Sequence, residues 1–328
     1  MQKDIIRVLN YFNIFSYSPD LNDIHLFLSK KSSKEILHKV LKKMVSDKKI
    51  ENFNGLYTLG EYNINSKVKS QKHALYRSEA SGSGSKFEIT QKKLNNLRFR
   101  AYIKLISLFP QVKLVGLSGS AAMYNAGKND DIDLFIISKA KRLWTTRFLC
   151  VFISMILGIK RARFELHPSD KVCLNLFYEE TNLKIPKFKQ NYYIAHEIIQ
   201  MKPLINKSST YELFLDSNKW VCDIFPNFKL KTILSSPTSK LSFPTRSGIQ
   251  SWIPAFAGMT RKWPGTIVGV LGITYVSDFI ELISKKFQLS IINRHKTTEI
   301  ITDTQLWFFP EDFAEKLPKW TRKKYNKI

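Results

Sequence analysis

The stretch LVGLSGSAAMYNAGKNDDIDLFIIS, residues 114–138, decides how the rest of this 328-residue chain is read. An aliphatic run, Val112–Leu117, has the composition of a buried strand and leads into Ser118-Gly119-Ser120. Ten residues separate Ser120 from Asp131, and a second strand is expected over 132–137, starting at the acidic group Asp130, Asp131 and Asp133. Residues two apart on a strand point the same way, so Asp131 and Asp133 project together while Ile132 goes into the core. Gly119 lets backbone approach a phosphate closely, and Ser120, opening a helix, adds a hydroxyl and free amides that face an anion. Two carboxylates on one face suit Mg²⁺ (or Mn²⁺), a cation that prefers hard oxygen ligands and fills its shell with water and substrate phosphates.

Strand, Gly-Ser, spacer and Asp-hydrophobic-Asp on a second strand resemble the nucleotidyltransferase superfamily that includes DNA polymerase beta. The resemblance implies that Gly119 and Ser120 hold a nucleoside triphosphate and that Asp131 and Asp133 bind the metal. A nucleoside monophosphate would then pass to an acceptor, which could be a protein, a small molecule or a nucleic acid. Further stretches extend it: CLNLF from Cys173, AHEIIQMKPL from Ala195, NKWVCDIFPN from Asn218 and FFPED from Phe308. In that order the chain looks like an uncharacterised bacterial group of nucleotidyltransferase-domain proteins with an N-terminal winged-helix-like unit. Two departures stand out. Minimal members carry Arg-x-Arg-Gly after the Gly-Ser, where this chain has Ala121, Ala122, Met123 and Tyr124, leaving Lys128, Lys139 and Lys141 as candidate cations for the triphosphate. Active members also place a third carboxylate on a later strand, as base and metal ligand. Here Asn175 stands at the expected position, and Asn cannot take a proton at neutral pH. Glu165, on a strand expected over 164–166, is the candidate substitute, with an ordinary exposed strand residue as the competing reading.

Working outward, residues 1–62 read as a winged-helix-like domain. Ile5, Leu9 and Phe12 recur at helical spacing, as do Leu21, Ile24 and Leu28. Ser32 and Glu35 have capping-box spacing before a third helix, and Asn54-Gly55 marks a hairpin. Lys34, His38, Lys39, Lys42 and Lys43 on that helix make DNA a candidate partner, the alternative being a plain solvated face.

Residues 63–92, with SEASGSGSK, read as a linker, and 93–236 as the nucleotidyltransferase domain. Within it we expect helices over 94–109 and 144–157, a strand over 172–178, and helix over 190–225 broken at Pro203. Residues 224–277 contain neither Asp nor Glu. Inside them WIPAFAGMT resembles the translated product of a dispersed palindromic repeat of bacterial genomes, so 237–263 reads as an inserted loop. A membrane-touching segment around Trp252, Phe256, Met259 and Trp263 is the competing reading. Residues 264–328 are expected to form a helical C-terminal extension.

Composition sets the remaining bounds. Lys and Arg number 52 against 27 Asp and Glu, a net charge of +25 that attracts polyanions, but over half of it lies in 63–100 and 224–277 rather than in the candidate DNA-reading unit. Cys150, Cys173 and Cys222 have no metal or disulfide spacing. Asp4 and Arg7 interrupt any signal sequence, and the apolar run at 148–159 is shorter than the roughly 20 residues of a membrane span. A cytoplasmic protein without a membrane partner is the expectation. His196 reads as a satisfied helix histidine, and His167 as a turn residue before Pro168. The expected fold is α+β: a polymerase-beta-like domain of mixed sheet and helices, an N-terminal winged helix and a helical C-terminal extension. The expected activity is Mg²⁺-dependent nucleotidyl transfer. The alternatives are a catalytically inactive nucleotide-sensing or DNA-binding regulator, and an antitoxin-like minimal nucleotidyltransferase, which the length and the extra domain disfavour.

Overall fold

Apolar positions at helical spacing and one strong turn signal build the first unit. Helix α1 (Gln2–Ile14) buries Ile5, Val8, Leu9, Tyr11 and Phe12. Helix α2 (Leu21–Leu26) opens on a capping box between Asp20 and Asp23, and α3 (Lys34–Ser46) buries Leu37, Leu41 and Met44. Strands β1 (Ile50–Phe53) and β2 (Leu56–Leu59) pair antiparallel across Asn54 and Gly55, whose φ angles of +50° and +84° suit a tight hairpin turn. The cap of α3 is Ser33, whose hydroxyl accepts from the Ile36 amide, and not Ser32 as the spacing suggests. The Ser32 amide instead donates to Asn227 Oδ1 at 3.0 Å.

The computed structural model describes residues 1–59, 86–162, 165, 168–230, 270–294, 296–308 and 317–322. The expected inserted loop, residues 60–62 at the end of the expected winged-helix-like domain, residues 63–85 of the expected linker and His167 lie outside the described residues, as do positions 164 and 166 of the strand expected over 164–166. Glu165 is described and belongs to no strand.

The chain continues with α4 (Lys86–Asn95) and α5 (Leu97–Ser107), two helices where one was expected. The side chain of Asn96 accepts from the Arg98 amide and starts the second, while α4 takes up the end of the expected linker by burying Thr90, Lys93 and Leu94. Then follow β3 (Val112–Leu117), the single turn α6 (Gly119–Ala122), β4 (Ile132–Ser138), α7 (Leu143–Ile156), β5 (Val172–Glu179) and α8 (Tyr192–Gln200). Next is a strand, β6 (Lys202–Asn206), where Pro203 led us to expect a broken helix. Pro203 is tolerated because β6 is an edge strand, and it faces Gly116 at a register irregularity. The C-terminal part comprises α9 (Thr210–Ser217), α10 (Trp220–Ile224), α11 (Val270–Asn293), β7 (Ile300–Ile301), β8 (Gln305–Trp307) and α12 (Lys319–Arg322). The extension is therefore not all helical: it contributes two strands to the main sheet.

That sheet is mixed and six-stranded, ordered β6-β3-β4-β5-β8-β7, with β4 and β5 parallel and the other neighbours antiparallel. The architecture is α+β. Alternation along β4 divides the core. Ile132, Leu134 and Ile136 join Phe99, Tyr102 and Trp144 on one face, while Phe135 and Ile137 join Tyr192, Phe214 and the apolar side chains of α1 to α3 on the other. Asp131 and Asp133 share the parity of Phe135, so they lie on the face where the N-terminal unit and α8 pack. Among the described residues no helix is long and apolar enough to cross a membrane.

Candidate functional site

Strand pairing puts the acids beside the glycine. Leu117 pairs with Leu134, and the Ser118 amide donates to the Asp133 carbonyl at 3.0 Å, so the turn after β3 folds over the start of β4. Gly119 has φ of +62°, and a Cβ built on it would lie 2.5 Å from Asp133 Oδ2. Both facts favour glycine: the first disfavours an L side chain, and the second means that a Cβ would push the end of the Asp133 side chain aside. The Gly119 amide donates to Glu197 Oε2 of α8 over a long 3.4 Å. Asp133 and Glu197 thus border one residue.

Across the parallel pair, the β5 residue in register with Asp133 is Cys173. Carboxylate oxygens of Asp131 and Asp133 and the Cys173 sulfur all lie within 4.8 Å of one another, a set that could hold a metal ion. Arg161 Nη1 donates to Asp131 Oδ2 at 2.6 Å and to Cys173 Sγ at 3.6 Å. Burial, with Asp131 and Glu197 close by, raises the Asp133 carboxyl well above the usual carboxylate range. Burial alone pushes Glu197 up to about 7. Burial, and then Asp133 and Asp131, push the Cys173 thiol far up, so it stays protonated at neutral pH.

The loop between Gly-Ser and the acids is held from below. Buried Lys93 donates through Nζ to the carbonyls of Lys128 and Asp130 at 2.9 and 2.8 Å and pairs with Asp170 at 3.2 Å. Thr90 Oγ1 accepts from the Ala126 amide at 2.9 Å. Asp130 accepts from the Gly127 amide and from the Ser120 hydroxyl, the latter at 3.3 Å. Asp130 therefore caps its own loop, and Ser120 is tied to that loop rather than to Asp131 or Asp133.

The N-terminal unit touches the same loop. Asn125 Nδ2 donates to the Phe15 carbonyl at 2.8 Å, and Lys202 Nζ lies 4.0 Å from the centroid of the Tyr124 ring. Burial lowers Lys202 to about 7, against the opposing pull of Asp23, and burial followed by Asp20 raises Asp23 to about 7. His196 is stacked between Tyr11 and Phe27, with ring centroids 3.7 and 4.1 Å away, and burial drives its pKa well below the ordinary histidine value. It is a packing residue joining α8 to α1 and α2. Glu197, the next residue, lies about 100° further round the helix and reaches Gly119.

Gly119, Asp131 and Asp133 come together as the spacing implied. Asn175 does not enter the group: it lies within an irregularity at which Asp133–Phe135 of β4 runs against Cys173–Leu176 of β5, and its backbone carbonyl accepts from the Phe308 amide. Glu165 pairs with Lys171 and accepts from the Ala162 amide, which holds it outside the group. None of Lys128, Lys139 and Lys141 pairs with Asp131 or Asp133; the cation at the site is Arg161. Sequence reasoning missed Cys173, Arg161, Glu197 and Lys93. A register for the parallel pair would have found Cys173, and the acid beside an internally packed helix histidine was the only local signal for Glu197. Comparison with family models, curated proteins and solved structures gave no match.

Proposed function

We propose that the chain binds a nucleoside triphosphate together with a divalent cation and transfers its nucleoside monophosphate to an acceptor, as a polymerase-beta-like nucleotidyltransferase with an N-terminal winged helix. The observation that carries this reading is the packing of Gly119 against Asp133, with Asp131 on the same strand face. Two carboxylates held this close repel each other, one of them is driven towards protonation, and a divalent cation relieves both, so the residues fit Mg²⁺ or Mn²⁺. Bound there, the cation would neutralise charge and polarise phosphoryl oxygens. Asp131 and Asp133 hold it; Gly119 lets the turn close onto the Asp133 carboxylate; Arg161 offers positive charge to the phosphates once it leaves Asp131.

A second reading is favoured by Cys173. A protonated thiol stands in register with Asp133, and neither it nor Asn175 can act as a base, which supports a nucleotide-sensing protein that transfers nothing. In that reading the exposed face of α3, with Lys34, His38, Lys39, Lys42 and Lys43, is the DNA-facing surface. Transfer of α-labelled nucleotide to components of a cell lysate, with Asp131→Asn and Asp133→Asn as controls, separates the two. Label incorporated by wild type and lost in both variants supports the enzyme. Nucleotide binding without incorporation supports the sensor and overturns the enzyme.

A further inference from the structure

Helices α5, α7 and α11 pack on the side of the main sheet away from the N-terminal unit. An ordinary surface helix buries its apolar stripe and shows water its polar one, and α11 does the reverse. It meets α7 through a polar seam, Ser277, Glu281, Ser284 and Gln288, repeating once per turn. The Glu281 carboxylate accepts from the amides of Trp144 and Thr145 at 2.7 and 2.9 Å, at the start of α7. Gln288 accepts from Arg147 Nη1 at 2.6 Å and donates to the Trp144 carbonyl at 2.8 Å, and Ser277 accepts from Arg142. These bonds fix which way the helix faces. Ser284 and Gln288 are 9% and 5% exposed, whereas Phe279 and Phe287 are 62% and 56% exposed. With Ile283 and Ile291 the two phenylalanines form an outer ridge at four-residue intervals. The neighbouring α7 repeats the pattern: the rings of Phe148 and Phe152 stack on each other at 5.8 Å, and Met155 and Ile156 follow one turn on, all four exposed.

We infer that this face rests on an anionic lipid bilayer, its apolar side chains entering the headgroup boundary and its bases meeting lipid phosphates. An exposed apolar surface of this kind marks an interaction site, and charge selects the occupant. Residues 89–129 and 134–164, which contain α5 and α7, include no Asp or Glu. The two acids of α11 are both engaged, Asp278 with Arg142 at 2.7 Å and Glu281 with the start of α7. What remains exposed around the apolar side chains is basic: Arg98 and Lys104 on α5, Lys286 on α11 and Arg294 after it. The Arg98 guanidinium stands beside Gly158 at the end of α7, next to the exposed Met155 and Ile156. A second copy of the chain would set these bases against themselves, and a nucleic acid would leave the aliphatic side chains without a partner. An anionic bilayer satisfies both, and the net charge of +25 draws the whole chain towards it. Among the described residues no helix is long and apolar enough to cross a membrane, so the face lies on the bilayer. The expectation of no membrane partner rested on the lack of a spanning run, which a surface-lying face does not need. The inference is independent of the cation site and of residues 237–263.

The test is cosedimentation of the full chain with vesicles of equal parts phosphatidylcholine and phosphatidylglycerol, with pure phosphatidylcholine vesicles alongside. Wild type should bind the mixed vesicles and bind the neutral ones more weakly. Phe152→Ser combined with Phe287→Ser should weaken binding to the mixed vesicles roughly tenfold or more, because two exposed rings no longer enter the boundary. Lys286→Gln should weaken it about fivefold, the share of one base near an anionic surface. Ile36→Ser, which changes an exposed apolar residue of α3 in the N-terminal unit, should leave it unchanged. If circular dichroism shows that the double variant is misfolded, Ile283→Ser combined with Met155→Ser carries the test. Failure of wild type to bind the mixed vesicles overturns the inference. So does binding that the double variant retains in full, which would be adsorption by charge alone, or an equal loss in Ile36→Ser. Sedimentation velocity without lipid reads the competing occupant: a wild-type dimer that the double variant converts to monomer assigns the face to a second copy and overturns the inference.

Discussion

Gly119→Ala isolates the contact on which the site depends. The alanine methyl would be placed in a backbone conformation at φ +62° and 2.5 Å from Asp133 Oδ2. The left-handed backbone alone costs roughly 1–2 kcal/mol for a residue with a Cβ. Contact at that distance forces the Asp133 side chain off its rotamer, which adds on the order of 1 kcal/mol. Gly55→Ala is the matched control: its φ is +84° with nothing within 4 Å, so it carries the backbone strain without the clash. Urea denaturation should therefore show Gly119→Ala less stable than wild type by about 2–3 kcal/mol and Gly55→Ala by about 1–2 kcal/mol. Mn²⁺ binding should fall in the first and stay unchanged in the second, since only the first moves a carboxylate of the pair. A Gly119→Ala protein that is no less stable than Gly55→Ala and binds Mn²⁺ like wild type would refute the argument that close approach, and not turn geometry alone, demands glycine here.

Other outcomes follow from single groups. His196→Phe keeps the stack between Tyr11 and Phe27 and removes a buried Nε2 that has no hydrogen-bond partner among the described residues, so its thermal midpoint should stay near wild type. His196→Ala opens a cavity there and should cost about 3 kcal/mol; equal effects from both variants would contradict the packing role. Lys93→Met takes its donor from the Asp130 carbonyl and leaves the Lys128 carbonyl with the Ser169 hydroxyl alone, which should cost about 2 kcal/mol, with weaker Mn²⁺ binding as the loop before Asp131 loosens; calorimetry reads both. Stability as a function of pH should pass through a minimum near neutrality. Asp23 and Glu197, raised to about 7, and Asp133, raised to about 8, hold protons in the folded state that the unfolded chain releases near pH 4, so stability falls as pH rises from about 4 to about 7, offset only in part by His196, which is neutral when folded and protonated in the unfolded chain below about 6.5. Lys202, lowered to about 7, and Lys207, lowered to about 8, release protons that the unfolded chain keeps to about 10.5, so stability rises again above neutrality. Melting curves from pH 4 to 10 check this, and a maximum at pH 7 would sink it.

Local pattern was enough for much of the fold. Apolar spacing located α1 to α3, the Asn54-Gly55 turn located the hairpin, and β3, β4, α7 and β5 fall where aliphatic runs predicted them. Pro203 misled because a proline that breaks a helix is equally at home on a sheet edge, and edges are defined only by the neighbours a strand acquires. Residues 300–307 were read as part of a helical extension because strands of two and three residues are too short to show a period.

For the site, the division is physical. Alternation along one strand places Asp131 and Asp133 on a common face whatever their surroundings, and a glycine before the helical turn marks the close approach, so these were legible one residue at a time. The partners of that pair were not. Cys173 stands beside Asp133, and Asn175 does not, because of a strand register that no stretch of β5 encodes by itself. Glu197 reaches Gly119 because His196, one residue earlier, is gripped by the rings of Tyr11 in α1 and Phe27 at the end of α2, 185 and 169 positions earlier in the chain. Spacing within an element is set by covalent geometry and can be counted from the sequence. Proximity between elements is set by how their apolar faces pack, and only the folded chain decides it.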